Sequence, residues 1–429
     1  MTEQNQTVSP EHEYLGAGKS LAYGLQHVLT MYGGIIAPPL IIGTAAGLEP
    51  AQIGLLIAAA LFVGGLATIL QTVGVKYIGA KLPLVQGVSF AGVATMIAIV
   101  TAGGGLSAVY GAVIVASLIG FFLAPYFSKI IRFFPPIVTG CVITVIGLSL
   151  LPVAVRWMMG GNSKAPDWGS AENISLAFLT LAIVIVLNIT RNATIRRLSI
   201  LLAIVLGTVL AYAMGFGDFS KVANGNWIQF PSFFAFGMPT FELSAIIAML
   251  IVTLVIMTET TADIIAVGEI VGTKVDAERI TNGLRADMLS SAAAPIFGSF
   301  MHSAFAQNVG LVAITGVKSR FVVAAGGLIL VVLGILPIMG RLIAAIPVPV
   351  LGGAGLVLFG TVAASGIRTL AKIDYSEQKN LIIVATAIAA GMIPIIDHSF
   401  YANFPKWVQT LFHSGISSTC LMAIVLNIV

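Results

Sequence analysis

Met301-His302-Ser303-Ala304-Phe305-Ala306-Gln307-Asn308-Val309-Gly310 opens with polar residues inside an otherwise apolar stretch and turns helical only afterwards. Leu82-Pro83-Leu84-Val85-Gln86-Gly87-Val88-Ser89-Phe90 does the same, with a proline near its start. Neither segment is long enough to cross a bilayer as helix throughout, because ~30 Å of hydrocarbon takes ~20 helical residues. Extended backbone at membrane depth is tolerated only where it is buried in protein or lines a cavity. The two segments are therefore expected to pair with each other, each leading into a half-helix whose N-terminal amides point inward. A ligand belongs at those ends, and His302 is expected at the mouth of its segment.

The surrounding chain makes the membrane reading unavoidable. Of 429 residues, 58% are hydrophobic and 9% charged, against roughly 25% charged in a soluble domain. The mean hydropathy is +1.02. Soluble enzymes, nucleic-acid binders and disordered chains are excluded by this composition, and a β-barrel by the absence of strict apolar/polar alternation. Cys141 and Cys420 both sit in apolar segments and are read as free thiols.

Hydropathy, broken at glycine, proline and charge clusters, places spans near 16–36, 50–74, 82–101, 104–128, 136–153, 174–190, 196–216, 241–270, 279–300, 303–317, 319–340, 347–367, 378–394 and 408–428, fourteen in all. With the N-terminus inside, sixteen basic residues fall in inside loops and five outside, Arg156, Lys164, Lys221, Arg341 and Lys406. That is the asymmetry of the positive-inside rule, so topology rather than an anionic partner accounts for the net charge of +4. Residues 1–15, which lack the basic start and cleavage site of a signal peptide, read as a cytoplasmic tail.

Seven spans per half would invert the second half relative to the first. Pro136, Gly140 and Gly147 recur at the same spacing as Pro349, Gly353 and Gly360, and Ser89-Phe90-Ala91 is matched by Ala304-Phe305-Ala306. Inverted repeats with a ligand between them are a mark of secondary transporters.

Few ionisable groups lie within spans, and each needs a partner or a purpose. Glu259 and Asp263, four residues apart on the eighth span, share a face among Thr258, Thr260 and Thr261. Two like charges on one buried face favour protonation of at least one, the physics of a proton relay. Asp287 in the ninth span, His27 beside Gln26 in the first, and Gln307 and Asn308 at the head of the tenth complete the set. Glu269, Asp276 and Glu278 read as solvated charges around a basic loop. No His/Cys/Asp cluster has metal-ligand spacing, and no phosphate-binding GxxxxGK[ST] loop is present.

Gln307-Asn308-Val309-Gly310, followed by Thr315, resembles the signature of the nucleobase/ascorbate transporter family. Gln26-His27, Ser89-Phe90, Glu259 with Asp263, and Asn282-Gly283-Leu284-Arg285-Ala286-Asp287 look like that family's other motifs in order, so the resemblance covers about residues 16–428. It implies an all-α membrane fold of fourteen spans in two inverted seven-span repeats. It further implies a core domain (16–128 and 241–340, spans 1–4 and 8–11), a gate domain (136–216 and 347–428, spans 5–7 and 12–14), an elevator-like movement, and a homodimer formed through the gates.

By the same resemblance Glu259 and Gln307 hold the base, with Ser89, Phe90 and Gly310 completing the site through backbone amides and ring stacking. His27, Asp263, Asp287 and Asn308 orient neighbours or couple ions. Oxidised purines alternate ring N–H donors with carbonyl acceptors, which a carboxylate and an amide read together. Gln307 where uracil-transporting relatives usually have Glu, and Asp263 where they have histidine, favour xanthine or urate, with uracil transport as the alternative within the family. The expected function is proton symport of such a base across the plasma (inner) membrane, with sodium as the alternative coupling ion, both termini cytoplasmic, no cofactor and no nucleic-acid partner. An anion transporter of the same architecture is the outlying alternative, disfavoured because Glu259 would repel an anion.

Overall fold

The computed structural model describes residues 9–217, 219–220, 222, 226–397, 399–405, 408–409 and 412–428. Residues 1–8 of the expected tail, Lys221 and Lys406 of the outward basic set, and 410–411 of the last expected span lie outside the described residues.

Helix α1 spans Ala17–Ala45, and α2 spans Pro50–Val73 behind a capping box formed by Glu49 and Gln52. Strand β1 (Gln86–Val88) leads into the half-helix α3 (Val93–Ile99). The chain then bends at Gly103, whose φ of 99° suits glycine, into α4 (Gly105–Leu123). A single turn α5 (Phe127–Ile130) precedes α6 (Pro136–Met158), α7 (Ala171–Ile189), the short α8 (Ala193–Arg197) and α9 (Ser199–Ala213). After a connection rich in aromatic residues come α10 (Leu243–Val271), α11 (Ala277–Ala293), β2 (His302–Ala304) and the half-helix α12 (Ala306–Thr315). The chain closes with α13 (Arg320–Gly334), α14 (Pro337–Ala344), α15 (Val348–Leu370), α16 (Gln378–Ile396) and α17 (Gly415–Ile428).

This is a mostly helical, multi-pass membrane fold. Among the described residues eight helices are long and apolar enough to cross a bilayer, or nine with α13 and α14 taken together. The difference from fourteen has identifiable sources. Helices α9, α12 and α17 are apolar but short, and α3 and α4 form one continuous helical stretch across the Gly103 bend. Helix α11 is polar in its first turns, where Glu278, Arg279 and Asn282 lie. Exposed Ile185, Val186, Val205 and Val209 on α7 and α9 fit an acyl-chain environment and not water.

Two expected spans differ in detail. The stretch 319–340 is sharply bent, because α13 and α14 meet at 77°, where Pro337 cannot continue the preceding helix. The first span does not stop near 36 but runs through Pro38 and Pro39 to Ala45. Those prolines lack N–H groups, so the carbonyls of Gly34 and Ile35 cannot receive their i+4 helical hydrogen bonds.

The glycines singled out by their spacing mark close helix contact. Helices α6 and α15 run antiparallel, and a Cβ at Gly147 would lie 2.2 Å from the backbone nitrogen of Ala363. One at Gly353 would lie 2.1 Å from the carbonyl oxygen of Ala177 on α7. Where no water is present to drive association, small residues permit the backbone approach on which van der Waals packing depends. Gly360, the spacing equivalent of Gly147, faces open space instead.

The polar segment 9–16 is not a free tail. Glu11, only 1% exposed, accepts hydrogen bonds from Thr273 (2.8 Å) and from the Arg279 guanidinium (3.1 Å), at the turn between α10 and α11. Ser319 Oγ donates to the Glu13 carbonyl at 2.6 Å, and the Tyr14 ring meets Phe321 edge-on.

Candidate functional site

Strands β1 and β2 pair antiparallel, with Gln86 opposite Ala304, Gly87 opposite Ser303 and Val88 opposite His302. The ladder continues at both ends, through Ser89 N–H to the Met301 carbonyl (2.9 Å) and Phe305 N–H to the Val85 carbonyl (3.0 Å). Each segment thereby satisfies backbone groups that its own short helix cannot, which lipid-depth burial demands. Thr68 of α2 seals the edge, donating to the Gln86 carbonyl and accepting from the Gln86 N–H at 2.9 Å. His302 is fully buried within this ladder, with its backbone N–H donating to Ser291 Oγ, and so is not at a mouth.

The half-helices α3 and α12 start from this ladder. Ser89 caps the single turn Phe90–Gly92 that leads into the first, its hydroxyl accepting from the Ala91 N–H, and is 1% exposed and committed to that turn. Phe90 is half-buried, and its ring lies edge-on to Phe359 of α15, centroids 6.1 Å apart; Phe359 in turn meets Trp157 of α6. On the other arm Phe305 is buried where glycine alone fits around it. A Cβ at Gly34 or Gly87 would come within 2.8 or 2.6 Å of its ring.

Gln307 and Gly310 are exposed on α12 and line a cavity of about 240 Å³ between α1 and α12 on one side and α9 and α15 on the other. A Cβ at Gly310 would touch nothing, so glycine there keeps space open. Gly34 lines the same cavity, with the carbonyl that Pro38 leaves short of its helical donor. Ile200 of α9, Thr361 of α15 and Arg197 at the end of α8 form the facing wall.

Glu259 lies on α10, half-buried, without a hydrogen-bond or ion-pair partner among the described residues. Neither it nor Phe90 lines the cavity that Gln307 opens into. Asp263 follows one turn further along the same helix and is buried.

The remaining predicted residues form two buried networks. Asn308 Nδ2 reaches both the Nδ1 and the carbonyl oxygen of His27, each at 3.1 Å, tying α12 to α1 from within the signature. Asp287 is fully buried and accepts from Gln71 Nε2 at 2.9 Å and from Thr260 Oγ1 at 2.6 Å. Gln71 also donates to the Gly283 carbonyl and accepts from the Ala80 N–H, so α2, α10 and α11 meet at one carboxyl group. Glu269, Asp276 and Glu278 are exposed, and Asp276 caps α11 by accepting from the Arg279 N–H.

Sequence reasoning passed over Gln71, Phe305 and Arg197. Gln71 was detectable as a lone amide in an apolar span, and Phe305 as the counterpart of Phe90. Arg197 had no signal beyond its place in a basic loop.

A polytopic helical bundle with two half-helices led in by paired strands, and a cavity at the head of one, is an architecture suited to a membrane permease. The Permease family model Xan_ur_permease matches residues 18–399. The chain belongs to that family, the nucleobase/ascorbate transporters, and is a transporter, not an enzyme. It is 40% identical over 417 residues to the uric acid transporter UacT of Escherichia coli, covering 96% of this chain and 86% of that protein. To the xanthine permease of Bacillus subtilis it is 39% identical over 414 residues, covering 96% and 94%. The transmembrane domain of the cyanobacterial bicarbonate transporter BicA shares the fold with a TM-score of 0.59 at 16% identity, over 96% of this chain and 99% of that one.

Proposed function

We propose that this protein is a secondary active transporter that imports an oxidised purine base, xanthine or urate, in symport with protons. The observation that carries the proposal is the chain-long similarity to a uric acid transporter and a xanthine permease, coupled with Gln307 and Gly310 opening onto an inter-helix cavity. Glu259 and Gln307 hold the base edge, the first accepting ring N–H protons and the second donating and accepting at once. Phe90, Ser89 and Gly310 shape the floor at the half-helix ends.

Fourteen spans in two inverted repeats divide into a core (16–128 and 241–340) and a gate (136–216 and 347–428). The base travels with the core, which slides against gates held in a homodimer in the plasma membrane, with both termini cytoplasmic. Glu259 and Gln307 then belong to one site completed as the gate helices move relative to α10 and α12. His27, Asp263, Asp287 and Asn308 couple the proton to that movement.

Thermal stabilisation of the purified protein by xanthine, urate, uracil and sulfate tests the reading, since a ligand that binds only the folded state raises apparent stability. Stabilisation by xanthine or urate that Glu259→Gln and Gln307→Glu each weaken at least about tenfold is expected, the scale of one unpaired buried polar group. Response to uracil alone moves the protein to pyrimidine transport, and response to sulfate alone moves it to anion transport. Uptake into sealed vesicles that ignores a pH gradient and requires sodium overturns proton coupling.

A further inference from the structure

The wall of the cavity opposite Gln307 carries one charged side chain, Arg197, and no acid. Arg197 closes the five-residue helix α8, which Asn192 pins at its other end by accepting from the Thr194 and Ile195 N–H groups. The loop contributes three arginines, but they are not equivalent. Arg191 and Arg196 are exposed, as positive-inside residues are, whereas Arg197 is half-buried and faces the cavity. Among the described residues it makes no hydrogen bond and no ion pair.

An unneutralised guanidinium in a mainly apolar cavity, whose other polar lining side chains are Gln307, Thr30 and Thr361, sets up a positive potential. The planar fork of arginine matches a delocalised planar anion better than an ammonium does.

We propose that Arg197 is a specificity-determining residue that selects the anionic form of the base, so that the preferred substrate is a purine monoanion of the urate type over a neutral purine. The inference rests on the purine-transport reading above and refines it. It also bears on a conflict within that reading. Glu259, outside this cavity, repels a monoanion, and Arg197, on the wall facing Gln307, supplies a compensating charge as the base passes between α12 and the α8–α9 wall.

The test is equilibrium binding of urate, anionic at neutral pH, and of xanthine at mildly acidic pH, where it is neutral, to wild type, Arg197→Gln, Arg197→Lys and Arg196→Gln. Arg197→Gln should raise the urate Kd about tenfold or more and change that of neutral xanthine less than about twofold, as expected for loss of one partly solvated charge. Arg197→Lys should fall between wild type and Arg197→Gln in urate affinity, and Arg196→Gln should match wild type.

Wild type alone provides a second readout. Its urate Kd should rise with ionic strength while its xanthine Kd stays flat. Equal loss of both bases in Arg197→Gln, no loss of either, or a salt-insensitive urate Kd overturns the inference and leaves purine transport standing. A change confined to stabilisation by anionic lipid assigns Arg197 to a headgroup and also overturns it. Failure of wild type to bind any purine overturns the proposed function itself.

Discussion

Asp287 shows what a buried carboxyl group demands of its neighbours. Fully enclosed, it is held by Gln71 and Thr260, and Gln71 simultaneously serves Gly283 and Ala80. Gln71→Ala therefore leaves the Ala80 N–H without its partner and takes one of two donors from Asp287, and a buried group left unpaired costs about 1–3 kcal/mol. A marked drop in the melting temperature of the purified protein is expected. Unchanged melting with lost base binding would instead make Gln71 a ligand group. Glu259 and Gln307 contrast with this arrangement, because neither is engaged by the protein and both remain available. The residues were visible in the sequence as costly groups in apolar spans, but which were tied and which free depended on neighbours hundreds of positions away.

Elements answer to the same arithmetic. Strands β1 and β2 exist because two short helices leave backbone groups that must be satisfied away from water, and pairing them is the available solution. The strap at residues 9–16 is a polar counterpart. Burial alone would raise the Glu11 carboxyl, but hydrogen bonds from Ser9, Thr273 and Arg279 outweigh it and hold the group at about 2, below its ordinary 4.5. A carboxyl lowered on folding contributes stability above its unfolded pKa and loses it as pH falls through the folded one. The difference in melting temperature between wild type and Glu11→Gln is therefore expected to stay level from about pH 8 to about pH 5 and to shrink only below about 4.5. A difference that varies across neutral pH would place the strap's charge elsewhere.

At the scale of the whole molecule, the cavity wall is shared between helices of the proposed core and of the proposed gate. A Cβ at Gly33 of α1 would lie 3.5 Å from Cγ2 of Ile200 on α9, so cysteines at both positions fall within bonding reach. Cys141 and Cys420 are buried, at 0% and 1% exposure, and add little background. Oxidation of the Gly33→Cys, Ile200→Cys double variant is expected to abolish uptake and reduction to restore it. Uptake that survives complete cross-linking would rule out sliding of α1 past α9.

The sequence alone determined the solvent, the location of the interrupted segments and the family, because apolar composition, broken helices and the Gln307 to Gly310 signature are local in the chain. Even so, it did not show the bend within 319–340 and ended the first span early, since hydropathy measures transfer to lipid and is blind to a 77° bend or to a proline-tolerant helix packed among neighbours. Tertiary structure alone decided that His302 is enclosed, that Ser89 caps a turn, that Glu11 is clamped, and that Arg197 but not Arg196 looks into the cavity. Enclosure and pairing depend on distances between residues far apart in the chain, and those distances come into existence only when the helices pack.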